Sequence, residues 1–395
     1  MNAKEFILGN IDKTTKYSRE SMDETLIALP YPYTTPCIGE AFQEMYYWDT
    51  YFTHKCLLLT GRKQQVLNNI RNFSYMVKKF GKIPNGNRTY YLNRSQPPFF
   101  GLMIADLCEK FPSSIAKEER FPMLEEEYAF WQKKRITENG LNRYYSEMSN
   151  EDCAKDSWFV GFEERTGIYL PHTAENGRSI AAECESGMDF SPRFKSACIR
   201  YNPVDLNCLL YADEMLLSAW APDSKTAGAY REKAEKRKEK MIGLMRGKDG
   251  VFYDYDFVSQ KRGDVVSFAA FYPFAAGVSR DEKAFEKVLL ALERKHGVVA
   301  SLSDGKKYQW TEPNSWAPGN YMAFAAALKL GREEDARRIA QKYIAATDGI
   351  FARTGELWEK YNAETGGMDG LGEYAAPKML GWTAGVYFAF SEFLK

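Results

Sequence analysis

The stretch ESGMDFSPRF, residues 185–194, sets one carboxylate, Asp189, among Gly187, Met188, Phe190, Pro192 and Phe194. Apolar neighbours desolvate a carboxylate and so favour its protonated form. A protonated carboxyl can deliver a proton to a leaving group, which is the work of a general acid. An aspartate that closes an Asx turn or caps a helix accounts for the same stretch equally well, so other residues have to decide.

Four more segments share its character: GEAFQEMYYWDTYF (39–52), IPNGNRTYYLNRSQPPFF (83–100), YQWTEPNSWAPGNY (308–321) and LWEKYNAETGGMDGLGEY (357–374). Each joins tryptophan or tyrosine to carboxylate, amide or arginine. A pyranose ring has apolar C–H faces that suit aromatic rings and a rim of hydroxyls that suits charged and amide groups, so the mixture fits a sugar. Aromatic plugs at the ends of a helical ring explain any one segment, but not the polar groups in all five. The glycines of GGMDGLGEY (366–374) further suggest a lid that orders over bound sugar.

The elements that must position these loops are helical. NPVDLNCLLYADEMLLSAW (202–220) carries Asn202 as an N-cap, Pro203 at the first helical position, and leucines at 206, 209, 210, 216 and 217 in helical spacing. Comparable segments recur at 47–60, 64–80, 96–110, 118–138, 223–246, 263–276, 280–294, 317–330, 332–346 and 380–393. Consecutive pairs joined by short glycine-bearing turns suggest a closed ring of hairpins. Strand-like pieces are few: TYYL (89–92), GVFYDYD (250–256) and HGVVASL (296–302). No Pro/Ser-rich linker divides the chain, which predicts one catalytic domain over 36–395 with residues 1–35 packed on it.

Composition narrows the partner. Lysine plus arginine (53) balance aspartate plus glutamate (53), so no net field draws the chain to nucleic acid or an anionic membrane. The basic run REKAEKRKEK (231–240) mixes its charges at helical spacing and reads as a solvated helix face. Seven cysteines without CxxC pairs predict reduced thiols, with neither a disulfide framework nor a zinc site, and no cofactor or metal is expected. The N-terminus has only the short apolar step Phe6, Ile7, Leu8, and no run approaches the roughly 18 apolar residues of a membrane span, which predicts a cytoplasmic protein.

The WD of YYWDTYF, IPNGNRTYYLNRSQPPFF, the ESGMD core, QWxxPNxWAP, and EKY followed by GEY and GWTAGV resemble the motifs of trehalases and related inverting α-glycosidases. ESGMDFSPR also resembles neighbouring families that contain α-glucosidases and mannosylglycerate or glucosylglycerate hydrolases. The resemblance runs from about residue 36 to 390 and implies an (α/α)6 barrel that cleaves an α-glucosidic bond of a small disaccharide or glucoside. It implies that Asp189 is the general acid and Glu359, in WEKY, the general base, with Glu373 as the rival base. Glycoside hydrolysis needs such a pair, one carboxyl protonated and one ionised to activate water.

By the same resemblance Trp48, Asp49, Asn85, Arg94, Ser95, Gln96 and Gly187 fall on sugar-contacting positions, and Arg178 weakly matches a further arginine; Phe42, Gln309 and Glu373 are further binding candidates, and Trp310 and Trp316 read as walls of the site, with structural plugging the alternative for either taken singly. Two departures stand out. Ala41, in GEAFQE, occupies the place of a family arginine, and Thr311 that of the aspartate in QWD. A missing arginine removes up to five donors, which weakens the case for strict α,α-trehalose specificity and favours another aglycone. Other classes fit less well. A sugar epimerase on such a ring would work through histidines, of which only His54, His172 and His296 exist. A phosphorylase would leave Glu359 without purpose, and a catalytically silent sugar-binding protein would not need both carboxylates.

Overall fold

The computed structural model describes residues 1–17, 24–369 and 376–395. Helix α1 (Ala3–Asn10) is capped by Asn2, which accepts from the Glu5 N–H while the Glu5 carboxylate accepts from the Asn2 N–H. Then follow the hairpins α2 (Tyr47–Leu59) with α3 (Lys63–Phe80) and α4 (Phe100–Lys110) with α5 (Lys117–Lys134). Three helices, α6 (Asn150–Cys153), α7 (Asp156–Thr166) and α8 (Ala174–Glu185), precede the long pair α9 (Val204–Trp220) and α10 (Ser224–Met245). The short α11 (Tyr272–Ala275) is entered through a 3-10 turn at Phe268–Phe271 against which α12 (Glu282–Leu292) packs. Finally come α13 (Ala317–Lys329), its partner α14 (Glu333–Thr354), and α15 (Gly381–Phe393).

The packing closes a ring. α2 lies against α4, α4 against α9, α9 against α11, α11 against α13, α13 against α15, and α15 against α2. The helices α3, α5, α10, α12 and α14 form the outer layer, and α1 packs on α14. This is the expected (α/α)6 barrel. The sequence explains which helix lies where. Every residue of α2 from Tyr47 to Leu58 is buried, as a helix enclosed on all sides requires. In α10 only Tyr230, Ala234, Arg237, Met241 and Met245 are buried, one stripe facing the ring, and its mixed charges form the solvated face anticipated for 231–240.

Where α15 meets α2 the backbones nearly touch. A Cβ on Gly385 would stand 1.9 Å from the Phe52 carbonyl oxygen, so only glycine permits the contact.

Several local expectations are corrected. The α9 helix begins one residue later than predicted, with Pro203 as its N-cap, and Asn202 instead bonds Thr137 Oγ1 and Asn139 through its side chain. TYYL forms a 3-10 turn at Thr89–Tyr91 rather than a strand. In GVFYDYD and HGVVASL only Tyr255–Asp256 and Gly297–Val298 pair as strands. The segment 263–276 is helical only from Phe268, whereas the helix expected at 332–346 continues to Thr354. All seven cysteines are free thiols, with Cys184 alone half-buried.

Candidate active site

The loops that precede the inner helices converge on a cavity of about 540 Å³. Of the residues singled out from the sequence, Phe42, Trp48, Asp49, Asn85, Arg94, Gln96, Gly187, Asp189, Gln309, Trp310, Trp316 and Glu359 all line it. Asp49 stands in the first turn of α2, Trp316 immediately precedes α13, and Trp382 is the second residue of α15. The positive ends of helix dipoles therefore surround a site that holds three carboxylates.

Asp189 follows α8 through Gly187, whose φ of 73° is left-handed. A Cβ there would come within 2.7 Å of the Trp48 indole, so glycine is required for the turn and for the close approach. Beneath the loop, the Ser191 N–H donates to Glu183 at 2.7 Å, and Arg193 bonds Asp254 and Asp205 while donating to Met188 Sδ at 3.3 Å. The expectation that apolar side chains enclose the Asp189 carboxyl is corrected. Met188, Phe190 and Phe194 turn into the core, whereas the Asp189 side chain is 32% exposed and pairs with Arg165. The alternation of sequence neighbours says nothing of which face of the loop each one takes.

Glu359, which lines the same cavity, is buried just before the strand Lys360–Asn362, which pairs antiparallel with Asn314–Trp316. Its N–H donates to the Pro377 carbonyl at 3.1 Å and its carbonyl accepts from Trp382 Nε1 at 2.9 Å. Lys360 Nζ lies 3.9 Å from Glu359 Oε2, donates to Gln309 Oε1 at 2.8 Å and sits 4.7 Å above the Trp316 ring. Asp49 is the third carboxylate: burial pushes its carboxyl up to about 8, and the neighbouring charges of Glu359 and Asp189 add to the rise.

Around the carboxylates stands an aromatic wall. Trp310 and Trp316 stack at 3.9 Å with 9° between their planes, and Trp48 and Trp382 meet both or one of them edge-on or tilted. Among the described residues Trp316 Nε1 and Arg94 Nε are buried without a hydrogen-bond partner. Arg94 otherwise bonds Asn93 Oδ1 and lies over the rings of Tyr91 and Trp158, poised by stacking rather than consumed by an ion pair. Gln96 spends its Oε1 on the Trp48 N–H at 3.1 Å, and Asn85 reaches the Cys184 carbonyl at 3.4 Å.

Two expected residues do not reach the cavity. Ser95 is fully buried, its N–H donating to Glu185 and its hydroxyl to the Ile83 carbonyl. Glu185 in turn grips Arg135 through both oxygens at 2.8 Å, so Ser95 ties the 83–100 loop to α8. Arg178 donates to the carbonyls of Ser146 and Met148 and to Asn150 Oδ1, and braces a loop. Glu373 and most of the anticipated lid lie outside the described residues. Ala41 is exposed and borders a neighbouring hollow with Glu40, and Thr311 is buried beside Trp310 with an unpartnered hydroxyl.

Residues that the sequence reading did not single out complete the lining: Tyr46, Tyr91, Trp158, Arg165, Cys184, Met379 and Trp382. Tyr46, Tyr91 and Trp382 sat inside quoted motifs. Trp158 and Arg165 belong to α7, and no periodic signal had marked that helix. Among the described residues no group of three or more His, Cys, Asp or Glu is placed to hold a metal ion.

The family model for trehalases matches residues 8–395. A protein of Xanthomonas oryzae named periplasmic trehalase is 33% identical over 92% of this chain and 68% of its own length. A periplasmic trehalase of Pseudomonas aeruginosa is 33% identical over 94% of this chain and 73% of its own. Among solved structures, the neutral trehalase of Saccharomyces cerevisiae superposes with a TM-score of 0.79 at 23% identity, covering 100% of this chain and 80% of that one. A mannosylglycerate hydrolase of Thermus thermophilus gives a TM-score of 0.65 at 15% identity, over 98% and 99% of the two chains. The expectation of a cytoplasmic protein is overturned by the Xanthomonas and Pseudomonas relatives, which are named periplasmic; a short apolar step near Phe6 was no guide to compartment.

Proposed function

This chain belongs to the trehalase family and is a glycoside hydrolase, and from that premise we propose that it hydrolyses α,α-trehalose with inversion, Asp189 acting as acid and Glu359 as base. The observation that carries the reading is that Asp189 and Glu359, remote in sequence, line the same cavity, one half-open and held by an arginine, the other buried beside a lysine. Protonated Asp189 gives its proton to the glycosidic oxygen as the C1–O bond breaks. Glu359 takes a proton from water, whose oxygen bonds C1 from the opposite face. One glucose leaves with the acid's proton, and the other is released as the β-anomer. Arg165, by holding Asp189 Oδ2, leaves Oδ1 as the oxygen that transfers the proton.

The remaining lining serves binding. Trp48 and Trp310 give the cavity aromatic surface for the sugar C–H groups, and Arg94, Asn85 and Gln96 bring donors for its hydroxyls. A cavity of about 540 Å³ is of a size that takes a small molecule such as a disaccharide. The test is proton NMR of fresh digests of α,α-trehalose. Equal initial α- and β-glucose supports the reading, since inversion acts on one ring only; an all-α initial product overturns it.

One observation favours a second reading. Ala41, the neighbour in sequence of the lining residue Phe42, stands where the family resemblance implies an arginine, and its methyl supplies no guanidinium, which suits an α-glucoside with a different aglycone. Comparing kcat/KM for trehalose with that for kojibiose, nigerose and glucosylglycerate, on the wild type and on Ala41→Arg, separates the two. A wild-type preference for trehalose of about a hundredfold or more, close to 3 kcal/mol, excludes the second reading.

A further inference from the structure

A second cavity, of about 630 Å³, lies where α9, α11 and α13 meet beneath α10. It opens on the side of the ring away from the catalytic loops: its lining on α13 runs from Tyr321 to Lys329, the last residue of that helix. The cause is local. α11 is four residues long and ends in a turn at Gly277, where φ is 80°, so the wedge between α9 and α13 is not filled by side chains of a full-length inner helix.

Three features give this space the character of a binding site. At its inner end Tyr272 is 1% exposed, and its buried hydroxyl has no hydrogen-bond partner among the described residues. Buried phenols ordinarily find one. Between floor and mouth the walls are mainly apolar, with Leu209, Met215 and Met322 among them. At the mouth stand Lys238, Arg280 and Lys329, none of which has a carboxylate within 4.0 Å among the described residues. The one acidic residue of the lining, Glu235, already faces Arg231 at 3.6 Å. In a chain whose charges sum to zero, this is a local excess of unpaired cations over an apolar recess.

We propose that the cavity binds an amphipathic organic anion. A carboxylate, phosphate or sulfonate lies at the mouth among Lys238, Arg280 and Lys329, and an apolar, chiefly aromatic body fills the recess against Tyr272 and the apolar walls. The site is separate from the catalytic cavity, with which it shares no lining residue.

The test uses 8-anilinonaphthalene-1-sulfonate, an aromatic sulfonate whose fluorescence rises in apolar surroundings, titrated into the folded full-length chain. The expected result is saturable binding at one equivalent, undiminished when excess trehalose is added to the Asp189→Asn protein. Binding should weaken about tenfold or more in the double variant Arg280→Glu, Lys329→Glu, and weaken likewise as salt rises from about 0.05 to 0.5 M. Ala325→Trp, which fills the recess, should abolish it. The charge reversal lies on the surface and keeps the test decisive should the tryptophan variant fold poorly. Both variants should hydrolyse substrate at the wild-type rate. Absence of saturable binding, displacement by trehalose, or equal affinity in the charge-reversed protein would overturn the proposal.

Discussion

Arg165 reaches Asp189 twice from one nitrogen: Nη2 donates to the carboxylate Oδ2 at 3.0 Å and to the backbone carbonyl at 3.1 Å. The same guanidinium lies 4.6 Å from the centre of the Phe190 ring. Arginine thus fixes both the loop and the orientation of its carboxyl. Arg165→Met should lower kcat/KM about a hundredfold through misplacement of the acid, and Arg165→Lys should recover part of that loss. Thermal unfolding should barely move, because the pair is about a third exposed and solvent screens it. A large drop in melting temperature, with activity per folded molecule unchanged, would assign Arg165 to stability instead.

The two carboxyl roles can be separated by the leaving group. Asp189→Asn should reduce trehalose hydrolysis by about three orders of magnitude or more, yet spare much of the activity on α-glucosyl fluoride, whose fluoride departs without a proton. Glu359→Gln should lose both activities, because water activation is needed in either case. Equal losses on both substrates in Asp189→Asn would remove it from the acid role.

Gly187 is expected to tolerate nothing larger. Gly187→Ala combines a positive φ with a Cβ 2.7 Å from Trp48, a contact that only a shift of the indole relieves. The expected cost is about 1–3 kcal/mol of stability together with a raised KM, as Trp48 is a wall of the cavity. Unfolding by urea and a Michaelis curve check both at once.

Stability should fall as the solution becomes more alkaline, for a reason that lies beside the site. Burial pushes the carboxyl of Glu183 from 4.5 up to about 8, as it does that of Asp49 from 3.8 up to about 8. A carboxyl whose folded value is raised contributes stability that is complete below the unfolded value and is lost as the pH climbs through the folded one. The window here runs from about pH 4 to about pH 8. Glu183→Gln keeps an oxygen for the Ser191 N–H and cannot ionise, so it should flatten the slope of melting temperature against pH across that window. An unchanged slope would show that Glu183 titrates alike in the folded and unfolded chain.

Much of this could be read in advance, for identifiable reasons. The inner helices α2, α9, α13 and α15 announced themselves because enclosed helices must be apolar and their ends carry Gly or Pro. The sugar-suited loops were visible because tryptophan beside carboxylate and amide serves little purpose in a loop unless something polar and ring-shaped binds there. The helices from Asn150 to Glu185 were missed. DSWFVGFEERT buries only Phe159, Phe162 and Thr166, too thin a stripe to stand out, and it was this segment that supplied Arg165. The family resemblance offered Arg178 as the extra arginine, but it is Arg165 of α7 that holds the acid, while Arg178 is bonded to carbonyls. The buried supports, Glu183, Glu185 and Arg193, look like surface charges in sequence, because only packing shows which charges are enclosed.

The contact of Gly385 with Phe52 joins the last helix of the ring to the first, and the cavity draws on residues from Phe42 to Trp382. A ribosome therefore has to deliver every helix from α2 to α15 before any catalytic capacity exists, since α2 has no α15 to lean on and Glu359 has no Trp382 to hold it. Hydrolytic activity in a translation reaction should appear as a single late step, and nascent chains halted before α15 should be silent however well their earlier helices have formed.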